Sequence, residues 1–161
     1  IIGGNIMPNI LLTRIDNRLV HGQVGVSWTA TLGANLILVA DDDVAKDSLQ
    51  QRLMKMVADA QGVDIRFFSI EKTINVIEKA SPRQKIFIIC KTPKEVRRLV
   101  DGGVPIETVN VGNMHYSEGK RQISKKVYVN DEDLEDLRYL ESKEVEVFIQ
   151  DVPGDIKEKI S

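Results

Sequence analysis

The sequence has little cysteine, few aromatic residues and no large excess of either charge. Cys90 is the only cysteine among 161 residues, so no disulfide can form within the chain, and a cytoplasmic location is predicted. The formal net charge of −2 gives no general attraction to nucleic acid or to an anionic membrane surface, because both require a large positive field. Any phosphate binding must therefore be local.

Long apolar runs and a secretion signal are also missing. The longest apolar runs, such as residues 86–90, have the length of a strand and fall far short of the ~20 residues that a membrane span requires. No charged segment followed by an apolar one opens the chain, so direct insertion into a membrane is not expected. Residues 1–6, which precede Met7, are interpreted as the remnant of an expression tag.

Short apolar runs typical of strands alternate along the chain with amphipathic helical patterns. The second helical pattern has Leu49, Leu53, Met56, Val57 and Ala60 at the spacing of one helix face, which is expected to pack on the core. Residues 153–160 are expected to form a last short helix. Strands are predicted over residues 10–15, 35–40, 63–68, 85–90, 108–111, 126–129 and 145–150.

The order of these elements predicts an α/β fold. Strands that are apolar throughout, such as residues 36–39, are typical of a parallel sheet that is covered on both faces. We therefore expect a single domain with a doubly wound, mostly parallel sheet of about seven strands and helices on both faces. In such sheets, ligands bind outside the carboxyl ends of the strands, where the chain order reverses.

The loop between the first strand and the first helix carries basic, acidic and histidine side chains. Residues 14–24 read RIDNRLVHGQV, which places His21 beside the start of the helix, where unpaired N–H groups and partial positive charge attract anions. Arg18 offers a planar fork for two phosphate oxygens, and Asp16 is expected to orient Arg18 or the imidazole. Further candidate phosphate contacts are Arg14, Asn17, Gly22 and Gln23.

Histidine at this position indicates covalent phosphoryl transfer. A neutral imidazole nitrogen is nucleophilic near neutral pH, and the N–P bond that forms stays reactive enough to pass the group onward. A structural loop histidine is the simpler alternative for His21. Arg14 is as well placed to pair with a carboxylate at the edge of the core as to touch phosphate, and Asn17 also suits the shaping of a turn.

A second polar segment follows the fifth strand, over residues 110–121, and contains His115. Residues 118–126 hold four basic residues and one acidic residue, a local charge of +3 that suits phosphate or an acidic partner. Lys125 and Lys126 are more simply interpreted as solubilising surface residues. No cofactor and no metal ion are predicted, because His21 and His115 lack partner ligands at recognised spacings.

At residues 14–24 the sequence resembles the enzyme IIB component of the mannose/sorbose family of bacterial sugar phosphotransferase systems. The resemblance covers residues 7–161, which it identifies as one IIB domain. IIB components of the glucose and cellobiose families use a cysteine after the first strand, whereas His21 stands there in this chain. The other matching segments are residues 41–42, 91–93, 110–114, 119–120 and 123–125.

The resemblance implies a protein-Npi-phosphohistidine–sugar phosphotransferase. His21 would accept a phosphoryl group from a phosphohistidine on a IIA component and pass it to a sugar that the IIC and IID membrane proteins carry. Arg18 would be the arginine that grips the phosphate, and the protein would lie at the inner membrane only through these partners. Residues 67–73, 113–115 and 148–154 are most similar to the N-acetylgalactosamine/galactosamine branch, with mannose, fructose or sorbose as the other sugars of the family.

Two other functions stay open from the residues alone. A phosphohistidine phosphatase or mutase would use the same nucleophile, but it needs a general acid or base, and the Arg-His-Gly of that type is absent. A non-catalytic regulatory module could bind a small anion at the same loop. Nucleotide binding is disfavoured, because neither of the glycine-rich phosphate motifs follows the first strand.

Overall fold

A parallel sheet of six strands separates two layers of helices in the computed structural model, which describes residues 7–160. Within these residues, the side chains of residues 23–25 are not described, and the predicted tag remnant lies outside the described part. The strands are β1 Asn9–Asp16, β2 Leu36–Ala40, β3 Asp64–Phe68, β4 Lys85–Cys90, β5 Thr108–Asn113, β6 Arg121–Ser124, β7 Val127–Val129 and β8 Glu146–Ile149. The helices are α1 Gly22–Leu32, α2 Ser48–Ala60, α3 Ile70–Val76, α4 Pro93–Asp101 and α5 Asp131–Ser142.

The main sheet has the strand order β3-β2-β4-β1-β5-β8, and every neighbouring pair is parallel. β6 and β7 form a separate antiparallel pair between β5 and α5. This arrangement confirms the predicted fold class, with helices on both faces. β1 lies in the middle of the sheet between β4 and β5, so the loop after β1 is bordered by the ends of both neighbours.

Alternate residues of each central strand enter two separate hydrophobic cores. On β4, Ile86 and Ile88 pack with α3, α4 and α5 on one face, whereas Phe87 and Ile89 pack with α1 and α2 on the other. Since both faces are covered, the central strands β2 and β4 have no polar side, which explains their continuous apolar sequences. No helix in residues 7–160 is both long and apolar enough to cross a membrane.

Several helix ends follow the local signals in the sequence. Ser69 accepts a hydrogen bond from the N–H of Lys72 and caps α3, and Asn130 forms a reciprocal capping box with Asp133 at the start of α5. Gly33 ends α1 with φ of 69°, a left-handed conformation that glycine adopts without steric cost. These boundaries could be read from the sequence because each depends on residues within one turn.

The predicted core face of α2 is wrong for all of its residues except Val57, which is partly buried and packs against the core. Leu49, Leu53 and Met56 are 62%, 57% and 65% exposed, whereas the buried residues of the helix are Met54 and Ala58 on the opposite side. α2 carries two apolar stripes, and helical periodicity gives no means of choosing the one that packs on the sheet.

Two elements also differ from the sequence prediction. β6 falls in the polar segment before β7, where only a loop was expected, because its partner is β7 rather than the main sheet. The last helix over residues 153–160 does not form. There the chain turns at Gly154, with φ of 96°, and Glu158 pairs through two backbone hydrogen bonds with Ile149 at the edge of β8.

Candidate active site

The loop from β1 to α1 is anchored by two buried apolar residues. Leu19 and Val20 are 3% and 5% exposed and pack in the core beneath α1. Leu19 adopts φ of 58°, an unfavourable conformation for a branched residue, and its N–H donates to the carbonyl of Asp16. With its apolar residues turned inward, the loop presents Arg18 and His21 at the carboxyl edge of the sheet.

His21 is held by a buried carboxylate. Its Nε2 lies 3.0 Å from Asp16 Oδ2, while the His21 side chain is 18% exposed and that of Asp16 only 1%. Asp16 Oδ1 accepts a hydrogen bond from the N–H of Arg18 at 3.0 Å. Since an ionised carboxylate can only accept, Nε2 carries the hydrogen, and in the neutral form of the ring Nδ1 keeps its lone pair.

The surroundings of Asp16 keep it ionised. Burial by itself raises the pKa of the Asp16 carboxyl, but the hydrogen bonds from His21 and from the Arg18 N–H, together with the charge of Arg14, outweigh burial and hold that pKa below its ordinary value. The carboxylate therefore accepts hydrogen bonds throughout the neutral pH range.

Arg14 lies inside the protein and contacts Asp16 from below. It is 1% exposed, and its guanidinium donates to Asn110 Oδ1 at 2.6 Å, to Asp16 Oδ2 at 3.2 Å and to the carbonyl of Gln150 at 3.2 Å. The Trp28 ring lies 5.5 Å away on another side. Of the two alternatives for Arg14, pairing with a carboxylate is the one found, and Arg14 fixes the position of Asp16.

Gly112 leaves room for this arginine. A Cβ atom at Gly112 would lie 2.0 Å from the Arg14 Cζ, so any side chain there displaces the guanidinium. We expect Gly112→Ala to cost about 1–3 kcal/mol of unfolding free energy, measured by chemical denaturation, because the displaced guanidinium loses its buried hydrogen bonds. When Arg14 is already replaced by lysine, adding Gly112→Ala should lower the unfolding free energy only a little further, because no guanidinium carbon is present to be displaced. An equal cost in both backgrounds would refute the assigned clash.

Asn17 ties the loop to both neighbouring strands. Its side chain donates to the carbonyl of Lys91 after β4 at 2.7 Å and accepts from the N–H of His115 after β5 at 2.6 Å. Its own N–H donates to the carbonyl of Asn113 at 2.9 Å. These bonds occupy the Asn17 amide, which matches the alternative that Asn17 shapes the turn.

The other predicted phosphate contacts lie around His21. Arg18 is exposed, and Gly22 opens α1 with φ of 34°, which a side chain would strain. The helix therefore starts immediately after His21, as the anion-site prediction requires. The side chain of Gln23 lies outside the described residues, so its predicted contact remains a prediction.

A cleft beside the loop joins the two segments that the sequence singled out separately. This cleft, named here the Arg18 cleft, has a volume of about 340 Å³. Lys126 also forms an ion pair with Asp151 at 2.7 Å, so it has a partner that a merely solubilising lysine would lack. The residues that line the cleft are Arg18, Asn113, Met114, His115, Tyr116, Lys125, Lys126 and Tyr128.

Sequence reasoning missed the supports of Arg14. Asn110 is fully buried inside β5, where it accepts from Arg14 and donates to the carbonyl of Gln150. Its polar side chain in an otherwise apolar strand was the available signal. Trp28 donates from Nε1 to the carbonyl of Asp151, a contact across 123 positions that no local pattern indicates.

Metal-ligand clusters and the single cysteine were the other features of the sequence with chemical potential. Among residues 7–160, no group of three or more histidine, cysteine, aspartate or glutamate residues is placed to hold a metal ion. Cys90 is completely buried at the end of β4, and burial, followed by the charges of Glu95 and Asp41, raises the pKa of its thiol well above the usual value. A protonated, buried thiol is a poor nucleophile.

Comparison with known proteins assigns nearly the whole chain to one family. Residues 10–161 match the family described as the sorbose subfamily IIB component of PTS systems. The chain is 68% identical to the N-acetylgalactosamine-specific phosphotransferase enzyme IIB component 1 of Escherichia coli (strain K12), with 95% of this chain and 97% of that protein covered. The crystal structure of the corresponding E. coli IIB component superimposes with a TM-score of 0.94 at 67% identity, over 95% of this chain and 100% of the other. The chain also matches 49% of the mannose-specific EIIAB component of E. coli (strain K12), at 35% identity over 99% of its own length.

Proposed function

The chain belongs to the sorbose subfamily of IIB components of sugar phosphotransferase systems, and we propose that His21 is the residue on which it carries the phosphoryl group. The observation that carries this proposal is the 3.0 Å contact of His21 Nε2 with the buried Asp16 carboxylate. That contact fixes the ring and leaves the opposite nitrogen, Nδ1, as the nucleophile. Asp16 has the role of a positioning residue that also balances positive charge on the ring.

In the first step, His21 Nδ1 attacks the phosphorus of a phosphohistidine on a IIA donor. The Nδ1–P bond forms while the donor's N–P bond breaks, and the electron pair of that bond returns to the donor's imidazole nitrogen. The His21 ring then has phosphorus on Nδ1 and hydrogen on Nε2, and so carries positive charge. The Asp16 carboxylate lies against that charge, which stabilises the phosphorylated ring.

In the second step, a hydroxyl oxygen of the sugar attacks phosphorus and the Nδ1–P bond breaks. The electron pair of that bond returns to Nδ1, the sugar becomes a phosphate ester, and the hydroxyl proton leaves to a base. The positive charge on the ring makes the imidazole a good leaving group. His21 thereby returns to its starting tautomer, held again by Asp16.

Arg18 is proposed to stabilise the transferring phosphoryl group. We expect Arg18→Ala to slow transfer on the order of a hundredfold, because a donor aimed at the charge of the transition state is lost. Arg18→Lys keeps the charge but loses the planar fork, so an intermediate rate is expected. Both rates are measured by rapid quench of phosphoryl uptake, with exposed Arg83→Ala as the matched control at the amino end of β4. Unchanged uptake by Arg18→Ala would leave Arg18 without this role.

The partners and the sugar follow from the names of the relatives. The match to one half of a mannose-specific EIIAB component supports a IIA domain as the phosphoryl donor. The 68% identity to a N-acetylgalactosamine-specific IIB component supports N-acetylgalactosamine, or galactosamine, as the sugar that receives the group. We propose that IIC and IID membrane proteins present this sugar, with the chain working at the cytoplasmic side of the membrane through them.

The proposed function is tested by labelling. The chain is incubated with labelled phosphoenolpyruvate, the general phosphotransferase proteins and a IIA donor, and the adduct is expected to be acid-labile and base-stable. The phosphorylated peptide should contain His21, and labelled phosphate should pass to the sugar when membranes with the IIC and IID components are added. Rapid release as inorganic phosphate, without any sugar, would instead indicate a phosphatase.

A further inference from the structure

The Arg18 cleft borders the site loop but extends away from His21. Arg18 contributes one wall, and the segment after β5 and the turn between β6 and β7 contribute the others. Asn17, the neighbour of Arg18 in the loop, connects these walls, because its N–H donates to the carbonyl of Asn113 and its side chain accepts from the N–H of His115. A molecule in this cleft would therefore contact Arg18, the residue proposed to stabilise the transferring phosphoryl group.

The cleft attracts anions although the chain as a whole is slightly acidic. Its lining includes Arg18, Lys125 and Lys126 and contains no acidic residue, whereas the net charge of the chain is −2. Lys126 is partly neutralised by Asp151, whereas Arg18 and Lys125 form no ion pair with a carboxylate among the described residues. Positive charge collected in a concave surface raises the local concentration of an anionic ligand.

The cleft also exposes an aromatic face. Tyr116 is 65% exposed, so most of its ring is accessible to a ligand. Its ring meets Tyr128 edge-on, with centroids 5.7 Å apart and an angle of 81° between the planes. This contact positions the Tyr116 ring and leaves a face open to a ligand.

From this combination we propose that the Arg18 cleft binds the phosphorylated sugar, with the C–H face of the hexose ring on Tyr116 and the phosphate facing Arg18 and Lys125. The inference rests on the proposed phosphoryl transfer and adds a sugar-binding site on the IIB chain itself. Inorganic phosphate would need the cations alone, whereas a sugar phosphate uses both the cations and the apolar ring face. The volume of about 340 Å³ is at the low end for small-molecule sites, which suits one hexose phosphate.

The test measures binding to the unphosphorylated full chain, with no donor present. Residue-resolved NMR titrations are run with N-acetylgalactosamine 6-phosphate, with N-acetylgalactosamine and with inorganic phosphate. We expect the sugar phosphate to bind with a Kd of about 1 mM, at least about tenfold tighter than the other two, with shifts centred on residues 113–128. Such weak binding allows the product to leave.

Three variants of the cleft and one control variant test the binding site. Tyr116→Ala should raise the Kd for the sugar phosphate about tenfold, whereas Tyr116→Phe, which keeps the ring face, should restore binding to within about twofold. Lys125→Ala should weaken binding several-fold, and Lys85→Ala, an exposed lysine at the opposite end of the sheet, should not. Each variant's amide spectrum reports whether it is folded.

Two results would overturn the proposal. One is equal affinity for the sugar phosphate and inorganic phosphate, and the other is unchanged affinity in Tyr116→Ala. If Tyr116→Ala instead slows phosphoryl uptake from the IIA donor without changing the sugar-phosphate Kd, the cleft is a docking surface for the donor. Because binding is measured without transfer, failure here leaves the labelling test of His21 unaffected, and failure of that test is visible separately.

Discussion

His21→Ala is expected to abolish phosphoryl uptake, to below about one thousandth of the parent rate, because no other nucleophile is available in the loop. The side chain is partly exposed, and among the described residues its hydrogen bond is to Asp16, so the fold should persist. The measurement is acid-labile label per molecule after incubation with the phosphorylated IIA donor. Thermal unfolding of the same sample checks that the variant is folded.

The control is the other histidine of the chain. His115 is exposed, and its bond to Asn17 uses its backbone N–H rather than its ring, so His115→Ala should take up label at nearly the parent rate. Label that persists in His21→Ala but disappears in His115→Ala would transfer the carrier role to His115. Persistence in both would exclude a histidine carrier altogether.

Asp16→Asn is expected to reduce phosphoryl uptake on the order of a thousandfold or more. The amide of asparagine can donate to His21 Nε2, which would move the ring hydrogen to Nδ1 and remove the nucleophile's lone pair; a comparable carboxylate-to-amide change beside a catalytic histidine costs about 10⁴. The rate is measured by rapid quench against a saturating donor. A loss of less than about tenfold would show that Asp16 does not set the tautomer.

The control for Asp16 is a second carboxylate near the same arginine. Asp151 Oδ1 lies 3.8 Å from the Arg14 guanidinium, and Asp151 Oδ2 forms an ion pair with Lys126 at 2.7 Å. Asp151→Asn should therefore disturb Arg14 without moving the hydrogen on His21, and transfer should stay within a few-fold of the parent. A loss equal to that of Asp16→Asn would trace both effects to Arg14 rather than to the histidine tautomer.

Asp16→Asn also has a predictable effect on the free energy of unfolding. Because Asp16 is buried against Arg14, loss of its charge should cost about 3 kcal/mol near pH 7. The folded-state pKa of Asp16 is below its ordinary value, so its charge stabilises the fold above that value, and this contribution is lost as the pH falls through the folded pKa. The unfolding free energies of Asp16→Asn and of the parent are measured by denaturation near neutral pH and near pH ~3. They should differ less at the acid pH.

The loop after β1 could be predicted from the sequence only in part. Its position at a strand end, before a helix that starts at Gly22, could be predicted because both elements have clear periodicity. The role of Arg14 could not, since one residue at a strand end has no local feature that separates a phosphate contact from a buried pair. Asn110 lies 96 positions away in sequence, yet it accepts a hydrogen bond from Arg14 that helps to hold the guanidinium inside the protein.

The exposed stripe of α2 shows the corresponding limit for packing. Leu53 and Met54 are neighbours with similar hydrophobicity, yet one is 57% and the other 6% exposed. Helical spacing tells which residues share a face, but the face that packs depends on how the helix is rotated over the sheet. That rotation follows from contacts with β3 and α1, which lie outside the helix.

The sequence by itself determined the strand-and-helix alternation, the caps at Ser69 and Asn130 and the histidine at the first strand end, because each depends on residues within a few positions of one another. Only the tertiary structure decided that Asp16 holds one nitrogen of His21, that Arg14 supports Asp16 and that Arg18 shares a cleft with Tyr116. These arrangements depend on distances between atoms of different strands, and a parallel sheet fixes such distances only when its order and register are set.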